Sequence, residues 1–376
     1  MKIGIFETEH FEAAYPVIRL FDMPSNQLVI FTTPASFSML NQLLKEDMHR
    51  YEWVVAEQQP RRKFFRQLEH MVTAHRLQLF YINTISSNHI LFARLIRRLP
   101  GVRVVLTVHD INCMFRSRWS WQPRKLVQHI GKKALIRQVQ EFNVISDTMV
   151  HHLVQQTGVQ KQVHQVPGAV FENRQANLTI NDHIHLVVPG TIDKKRRDYD
   201  QVFALLQMAE KEALPVHITL LGAPVDEYGH EMMRRARAYQ GACTRLLYYD
   251  TAIVQQDEFD KQLSSAHFLY IPSVVETAIC SGIPETYGLT KSSGNIFDAV
   301  KHARPFIAPA HLTIPPALES SCYKINKLEQ LGIFFRTLLS EKHAYEWWQQ
   351  RALANSMEFT IGKVRERNPS LFFIAP

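Results

Sequence analysis

Two segments in the second half of the chain combine residue types that could hold an anion. The first, Pro284 to Val300, is a polar, glycine-containing loop opening a helix whose apolar residues Ile296, Phe297 and Val300 share one face. Ser292 and Ser293 suit the helix start as caps. Free backbone N–H groups and the positive end of the helix dipole converge there, and Lys291 adds a full charge, so a phosphate or diphosphate is well placed. An ordinary capped helix has the same composition. The second segment is the apolar run Ile184 to Val188, followed by Pro189-Gly190-Thr191-Ile192-Asp193-Lys194-Lys195-Arg196-Arg197 and a helix from about Asp198. A glycine turn with basic residues at the carboxyl end of a strand is where an open α/β sheet binds its ligand.

Residues able to move a proton concentrate in the first half. Asp110 and His109 follow the strand candidate Val104 to Val108, and Glu7, Glu9 and His10 occupy the loop after the first strand. Any of the carboxylates or His10 could deprotonate a hydroxyl held in the same cleft. Asp198-Tyr199-Asp200 has the spacing of a metal-binding D-x-D pair, but acidic residues in a first helical turn are explained by the helix dipole. No metal is assigned.

A chain of 376 residues exceeds the usual single core, so two domains are expected. The amino terminus goes directly into a strand-like segment rather than a secretory signal, and no apolar run is long enough to span a membrane. Cys113, Cys243, Cys280 and Cys322 are widely spaced, as expected of reduced cytosolic thiols rather than a disulfide framework or zinc site. A net charge of +8 points to an anionic partner.

Strand candidates are Lys2–Phe6, Leu28–Thr32, Glu52–Val55, Leu79–Asn83, Val104–Val108 and Phe142–Ile145, with helices between them. The alternation repeats at His185–Val188, His217–Leu221, Leu246–Tyr249, His267–Ile271, Phe306–Ala308 and Cys322–Ile325. Strands alternating with helices give parallel sheets, here two doubly wound, Rossmann-like domains facing across a cleft. The polar stretch Glu172 to Asn177 is the expected linker.

In Thr107-Val108-His109-Asp110, Pro189-Gly190-Thr191 with its basic run, Leu220-Leu221-Gly222, Tyr270-Ile271-Pro272-Ser273, Glu285-Thr286-Tyr287-Gly288, Ser293-Gly294 and Arg304-Pro305, the chain resembles GT-B fold glycosyltransferases. The relevant group takes sugars from nucleotide diphosphate donors. The resemblance implies an acceptor domain at 1–172, a donor domain at 184–350 and a final helix in 351–376 that crosses back. It places Lys194, Lys195 or Arg196 on the diphosphate, Gly190 where backbone approaches the ligand, and Glu285 on sugar or ribose hydroxyls. Ser292, Ser293 and Gly294 would offer amides to phosphate. Thr191, Tyr287, Lys291 and Asn295 complete the donor-binding set, and His109 would position the sugar. No cofactor is implied. Many retaining members carry two glutamates separated by seven residues, but the second position here is Ser293, which leaves an inverting route open.

Arg116 to Arg137 contains Leu126, Val127, Ile130 and Ala134 at helical spacing among Arg124, Lys125, Lys132, Lys133 and Arg137, behind Trp119 and Trp121. Such a helix suits an anionic membrane surface, and Arg61-Arg62-Lys63-Phe64-Phe65-Arg66 repeats the mixture. The expected function is transfer of a sugar from a nucleotide diphosphate, such as a UDP-sugar, to a glycan or lipid-linked acceptor in polysaccharide or cell-envelope synthesis. The enzyme is expected to be metal-independent and cytoplasmic, peripheral at the inner face of the membrane. The alternatives are a non-hydrolysing nucleotide-sugar epimerase and a non-catalytic anion- or nucleic-acid-binding protein. No recognisable nucleic-acid module is present, so nucleic acid is not an expected partner.

Overall fold

The computed structural model describes residues 1–56, 61–117, 119–173, 177–279, 282–341 and 343–373. The first domain runs β1 (Lys2–Phe6), α1 (Phe11–Phe21), β2 (Gln27–Thr32), α2 (Pro34–Leu44), β3 (Glu52–Val55), α3 (Arg61–Ala74), β4 (Leu79–Ile82) and α4 (His89–Arg97). It continues through β5 (Arg103–Thr107), α5 (Ile111–Phe115), α6 (Pro123–Gln138), β6 (Glu141–Val144), α7 (Asp147–Thr157) and β7 (Val163–Gln165). The second domain runs β8 (Ile184–Pro189), α8 (Tyr199–Lys211), β9 (Val216–Leu221), α9 (Glu227–Ala238), β10 (Arg245–Tyr248), α10 (Gln256–Ser265) and β11 (Phe268–Tyr270). A short hairpin, β12 (Glu276–Thr277) and β13 (Glu285–Thr286), precedes α11 (Gly294–His302), β14 (Phe306–Pro309), β15 (Cys322–Ile325) and α12 (Glu329–Ser340). Three helices end the described chain: α13 (Ala344–Met357), α14 (Ile361–Arg367) and α15 (Pro369–Phe372).

The first sheet is ordered β3-β2-β1-β4-β5-β6-β7 and the second β10-β9-β8-β11-β14-β15, and every pairing within them is parallel. Parallel strands covered on both faces need continuous apolar runs. β4 and β14 have no exposed residue at all. In each sheet the order reverses beside the first strand, between β1 and β4 and between β8 and β11. Ligands of open α/β sheets bind at these reversals, outside the carboxyl ends of the strands.

The end of the chain returns to the first domain. Val364, Leu371 and Phe372 are buried in the core that holds Ile3, Ile18 and Phe21, with the Phe21 and Phe372 rings 4.9 Å apart. Each such side chain contributes about 1.5–3 kcal/mol when fully buried. Arg365 donates to the carbonyls of Leu20 and Asp22 at 2.9 Å, closing the open end of α1. Asn368 exchanges two hydrogen bonds with the Gln165 backbone at the edge of the sheet. The linker expectation meets the described residues only at Glu172, Asn173 and Asn177; 174–176 lie outside them.

Candidate active site

Glu7, at the end of β1, is fully buried and its carboxylate is saturated. Oε1 accepts the N–H groups of Glu9 (2.6 Å) and His10 (2.9 Å), while Oε2 accepts Asn83 Nδ2 and Thr84 Oγ1, both at 2.7 Å. With these four bonds in place, Glu7 ties the loop after β1 to the loop after β4 and has little acceptor capacity left for a substrate proton. It is an anchor where a base was expected. The Glu9 carboxylate accepts from Ser86 Oγ.

His109 donates from Nε2 to Asn83 O at 2.9 Å, which leaves Nδ1 facing Ser292 Oγ at 3.5 Å. Burial, followed by the nearby His10, holds its pKa below the ordinary value. His10 lies with its ring centroid 5.8 Å from that of His109. Its Nδ1 is 3.4 Å from Glu12 Oε1, and that contact raises its pKa.

Asp110 does not stand free. Its carboxylate forms an ion pair with Lys291 of the second domain. Backbone bonds from Ile111 N to Thr290 O (2.7 Å) and from Ser292 N to His109 O (3.1 Å) lay the two segments side by side. Glu285 is 1 % exposed and accepts the N–H groups of Cys113 (2.6 Å) and Asn112 (3.3 Å), so it caps α5 from across the domain boundary. Burial raises its pKa. Tyr287 is buried, with Lys291 Nζ 5.7 Å from its ring centre. Glu285 and Lys291 therefore contact the first domain where contacts to a donor were expected, while Tyr287 is held within its own domain by Val275 O and Lys291.

On the donor side the Gly190 turn and the start of α11 are joined by a residue outside the expected set. Arg197 is buried and donates to Thr191 O at 2.8 Å and to Asn295 Oδ1 at 2.5 Å. Asn295 Nδ2 in turn donates to Pro189 O at 2.7 Å. A Cβ at Gly190 would fall 2.3 Å from the Arg197 guanidinium, and the φ of Gly190 is +88°, so the glycine leaves room for the Arg197 side chain. Arg196 pairs with Asp193 at 3.1 Å, Lys194 lies 5.6 Å from the Tyr228 ring centre, and the Lys195 residue is exposed.

Ser293, the N-cap of α11, makes no capping side-chain bond, and a Cβ built at Gly294 meets nothing within 4 Å. The helix thus starts with uncapped amides beside open space, a setting suited to an anion. One turn on, burial raises the Asp298 pKa to about 7, with Glu12 of the first domain among the charges that push it up. Asp198 caps α8 by accepting the N–H of Asp200, and Asp200 pairs with Arg235, so both carboxylates of the D-x-D sequence have structural partners.

The first domain carries an open cavity of about 490 Å³ at the carboxyl ends of β1, β2 and β4. Phe6, Phe64, Phe65 and Phe92 give it an aromatic wall, and Thr8, Glu9 and Ser86 a polar one. A smaller recess shares Phe6, Thr8 and Phe64 with it and reaches Thr32, whose buried hydroxyl has no hydrogen-bond partner among the described residues. Phe64 and Phe65 thus face inward, which corrects the expectation that the 61–66 segment presents its aromatic residues to a membrane. Cys113, expected to be a reduced thiol, is disulfide-bonded; Cys280 lies outside the described residues. Sequence spacing does not show which cysteines fold together.

The two parallel-sheet domains are those of the GT-B fold. Among solved structures, the chain is similar to a glycosyltransferase from Rickettsia africae ESF-5, with a TM-score of 0.64, 10 % identity, and 99 % of this chain and 97 % of that one covered. It is similar to TarM of S. aureus, solved with fondaparinux, alpha-GlcNAc-glycerol and UDP, with a TM-score of 0.64, 9 % identity and 99 % of both chains covered. A UDP-GlcNAc 2-epimerase from Neisseria meningitidis, bound to UDP-GlcNAc, gives 0.57 and 10 % identity over 99 % of this chain and all of that one. At these identities the likeness concerns the fold. No protein-family model and no curated protein sequence matches the chain.

Proposed function

We propose that this chain is a glycosyltransferase that takes a sugar from a nucleoside diphosphate, with UDP first among the donors to try. The acceptor is a glycan or lipid-linked alcohol of polysaccharide or cell-envelope synthesis. One observation carries the reading: Arg197 and Asn295 fasten the cationic Gly190 turn to the uncapped start of α11. That arrangement gives a pyrophosphate fixed N–H donors from the helix start and a positive charge beside it, where charge develops as the nucleotide departs. Of the exposed cations Lys194, Lys195 and Arg196, Lys195 has no ion pair or ring contact among the described residues and reaches the phosphate in this reading. The cavity around Phe6 receives the acceptor, and His10, oriented by Glu12, takes its proton. Asp110 and Glu7 are held by other partners. The charge of the leaving diphosphate is met by protein groups rather than a metal ion, and the enzyme works on the cytoplasmic side.

Calorimetric titration with UDP, GDP, CDP, ADP and TDP, each beside its nucleoside, tests the donor site. One diphosphate should bind at least about tenfold more tightly than its nucleoside. Equal affinity for every pair removes the reading. The similarity to the epimerase over nearly the whole chain keeps a second reading in play. Incubation with UDP-GlcNAc and no acceptor separates the two, since an epimerase alters the sugar and a transferase does not.

A further inference from the structure

The segment leading into α6 and the outer face of that helix form an exposed apolar patch. Trp121 is 89 % exposed, Trp119 58 %, Val127 56 % and Ile130 45 %. The two indole rings meet edge to face at 6.2 Å, and Val127 and Ile130 stand one helical turn apart. The opposite side of α6 is committed to the protein: Leu135 is fully buried, a Cβ at Gly131 would approach Ile90 N at 3.0 Å, and Lys132 donates to Cys113 O at 2.8 Å. Val127 and Ile130 are therefore turned out, and the expectation that Lys132 is a surface cation is corrected. Isolated apolar residues on a surface need no explanation, but a patch with two exposed tryptophans does.

The charge around the patch is of one sign. From Ile111 to Gln140 the chain has no Asp or Glu. Arg116, Arg124, Lys125, Lys133 and Arg137 are all exposed, and none forms an ion pair among the described residues. We propose that this patch docks the enzyme on a bilayer leaflet rich in anionic phospholipid. Trp119, Trp121, Val127 and Ile130 enter the headgroup region while the five cations meet the lipid phosphates. The aliphatic pair favours lipid over nucleic acid, which rewards cations and aromatic stacking but offers nothing to Val127 and Ile130. No described helix is long and apolar enough to cross a membrane.

The helix that carries the patch is tied to the domain boundary: Lys132 donates to Cys113 O at 2.8 Å, and the Cys113 N–H donates to Glu285 of the second domain at 2.6 Å. Docking there deepens the proposed transfer by making the acceptor membrane-borne, and rests on that reading for the acceptor alone; lipid affinity is a separate property.

Co-sedimentation of the full chain with phosphatidylcholine vesicles, with or without about 30 % phosphatidylglycerol, tests the docking surface. Binding should be at least about tenfold stronger with phosphatidylglycerol, and should weaken as salt rises from about 50 to about 300 mM. The tryptophan emission of the unaltered protein should shift to the blue on those vesicles. Trp119→Ser with Trp121→Ser, and separately Val127→Ser with Ile130→Ser, should each lower vesicle binding about tenfold while leaving the melting temperature and the UDP-induced thermal shift unchanged. Equal binding to neutral vesicles, an unshifted emission, or oligonucleotide binding that competes with vesicles and ignores the serine variants overturns the proposal. Vesicle binding by a protein with no affinity for any nucleoside diphosphate supports the surface while removing the transferase reading.

Discussion

The carboxylate of Glu285, from the second domain, accepts the backbone N–H of Cys113, from the first, at 2.6 Å. Glu285→Ala leaves the first amides of α5 without that partner, and should lower the unfolding free energy by about 1–3 kcal/mol in urea titrations. Undiminished stability with a large loss of donor affinity would return Glu285 to the ligand.

Arg197→Ala should weaken binding of the preferred nucleoside diphosphate by at least about tenfold with little change for the nucleoside, because the Gly190 turn loses its tie to Asn295. Arg197→Lys should restore only part of this, since an ammonium cannot span Thr191 O and Asn295 as the guanidinium fork does. Lys195→Ala should weaken the same ligand without lowering the melting temperature. Calorimetry with paired thermal scans measures all three.

His10→Ala should reduce the turnover rate by about 10²–10⁴-fold at unchanged donor affinity. A base must be unprotonated, and the Glu12 contact raises the His10 pKa, so the rising limb of the rate profile should lie above pH 6.5. Glu12→Gln should move that limb toward lower pH. Abolition of transfer by Asp110→Asn with the fold intact, and full activity in His10→Ala, would move the base to Asp110.

Acid should destabilise the protein at the starts of the neighbouring central strands β8, β9 and β11 of the second sheet. His267 is 7 % exposed, accepts the His185 N–H at Nδ1 (2.9 Å) and faces Thr179 O from Nε2 (3.1 Å), so it is seated neutral. Burial lowers its pKa to about 4, with the charges of His185, His183 and Arg304 acting the same way. The unfolded state therefore binds a proton near pH 6.5 that the folded state refuses. Stability is complete above that pH and falls as the pH drops toward 4, by about 2 kcal/mol between pH 7 and pH 5 for His267. His217, stacked on His183 at 3.8 Å and likewise lowered to about 4, adds a smaller loss because it is partly open to water. Urea titrations at the two pH values should show this loss, and His267→Gln should reduce it.

Thiol titration of freshly purified, denatured protein should find fewer than four reactive groups before reduction and four after, because Cys113 is in a disulfide while Cys243 and Cys322 are free. Four at the outset would show that the Cys113 bond is open in the purified protein.

Most of the strands were legible because a parallel strand buried on both faces must be an apolar run, as Ile184 to Val188 is. β7, β12 and β13 were missed: three or two residues carry no measurable period. The Gly190 turn and the start of α11 stood out by composition, but their fastening did not. Nothing in Lys194-Lys195-Arg196-Arg197 marks the last cation as the buried one, because its burial follows from the turn into α8 and from Asn295, 98 residues away. The same holds for Glu285 and Lys291, whose partners lie 172 and 181 residues distant. Their residue types fit ligand contact and domain contact equally, and only the fold separates the two.

The return of the last helices to the first domain means that the polypeptide passes between the lobes twice. The two passages are fastened to each other where Phe171 N donates to Phe359 O at 3.0 Å. A single tether would let one lobe swivel freely, whereas paired tethers behave as a strap hinge and favour bending about one axis over twisting. Opening for substrate exchange would then swing the His10 side away from α11 and return it along the same arc, so that each closure restores one alignment of the reacting groups.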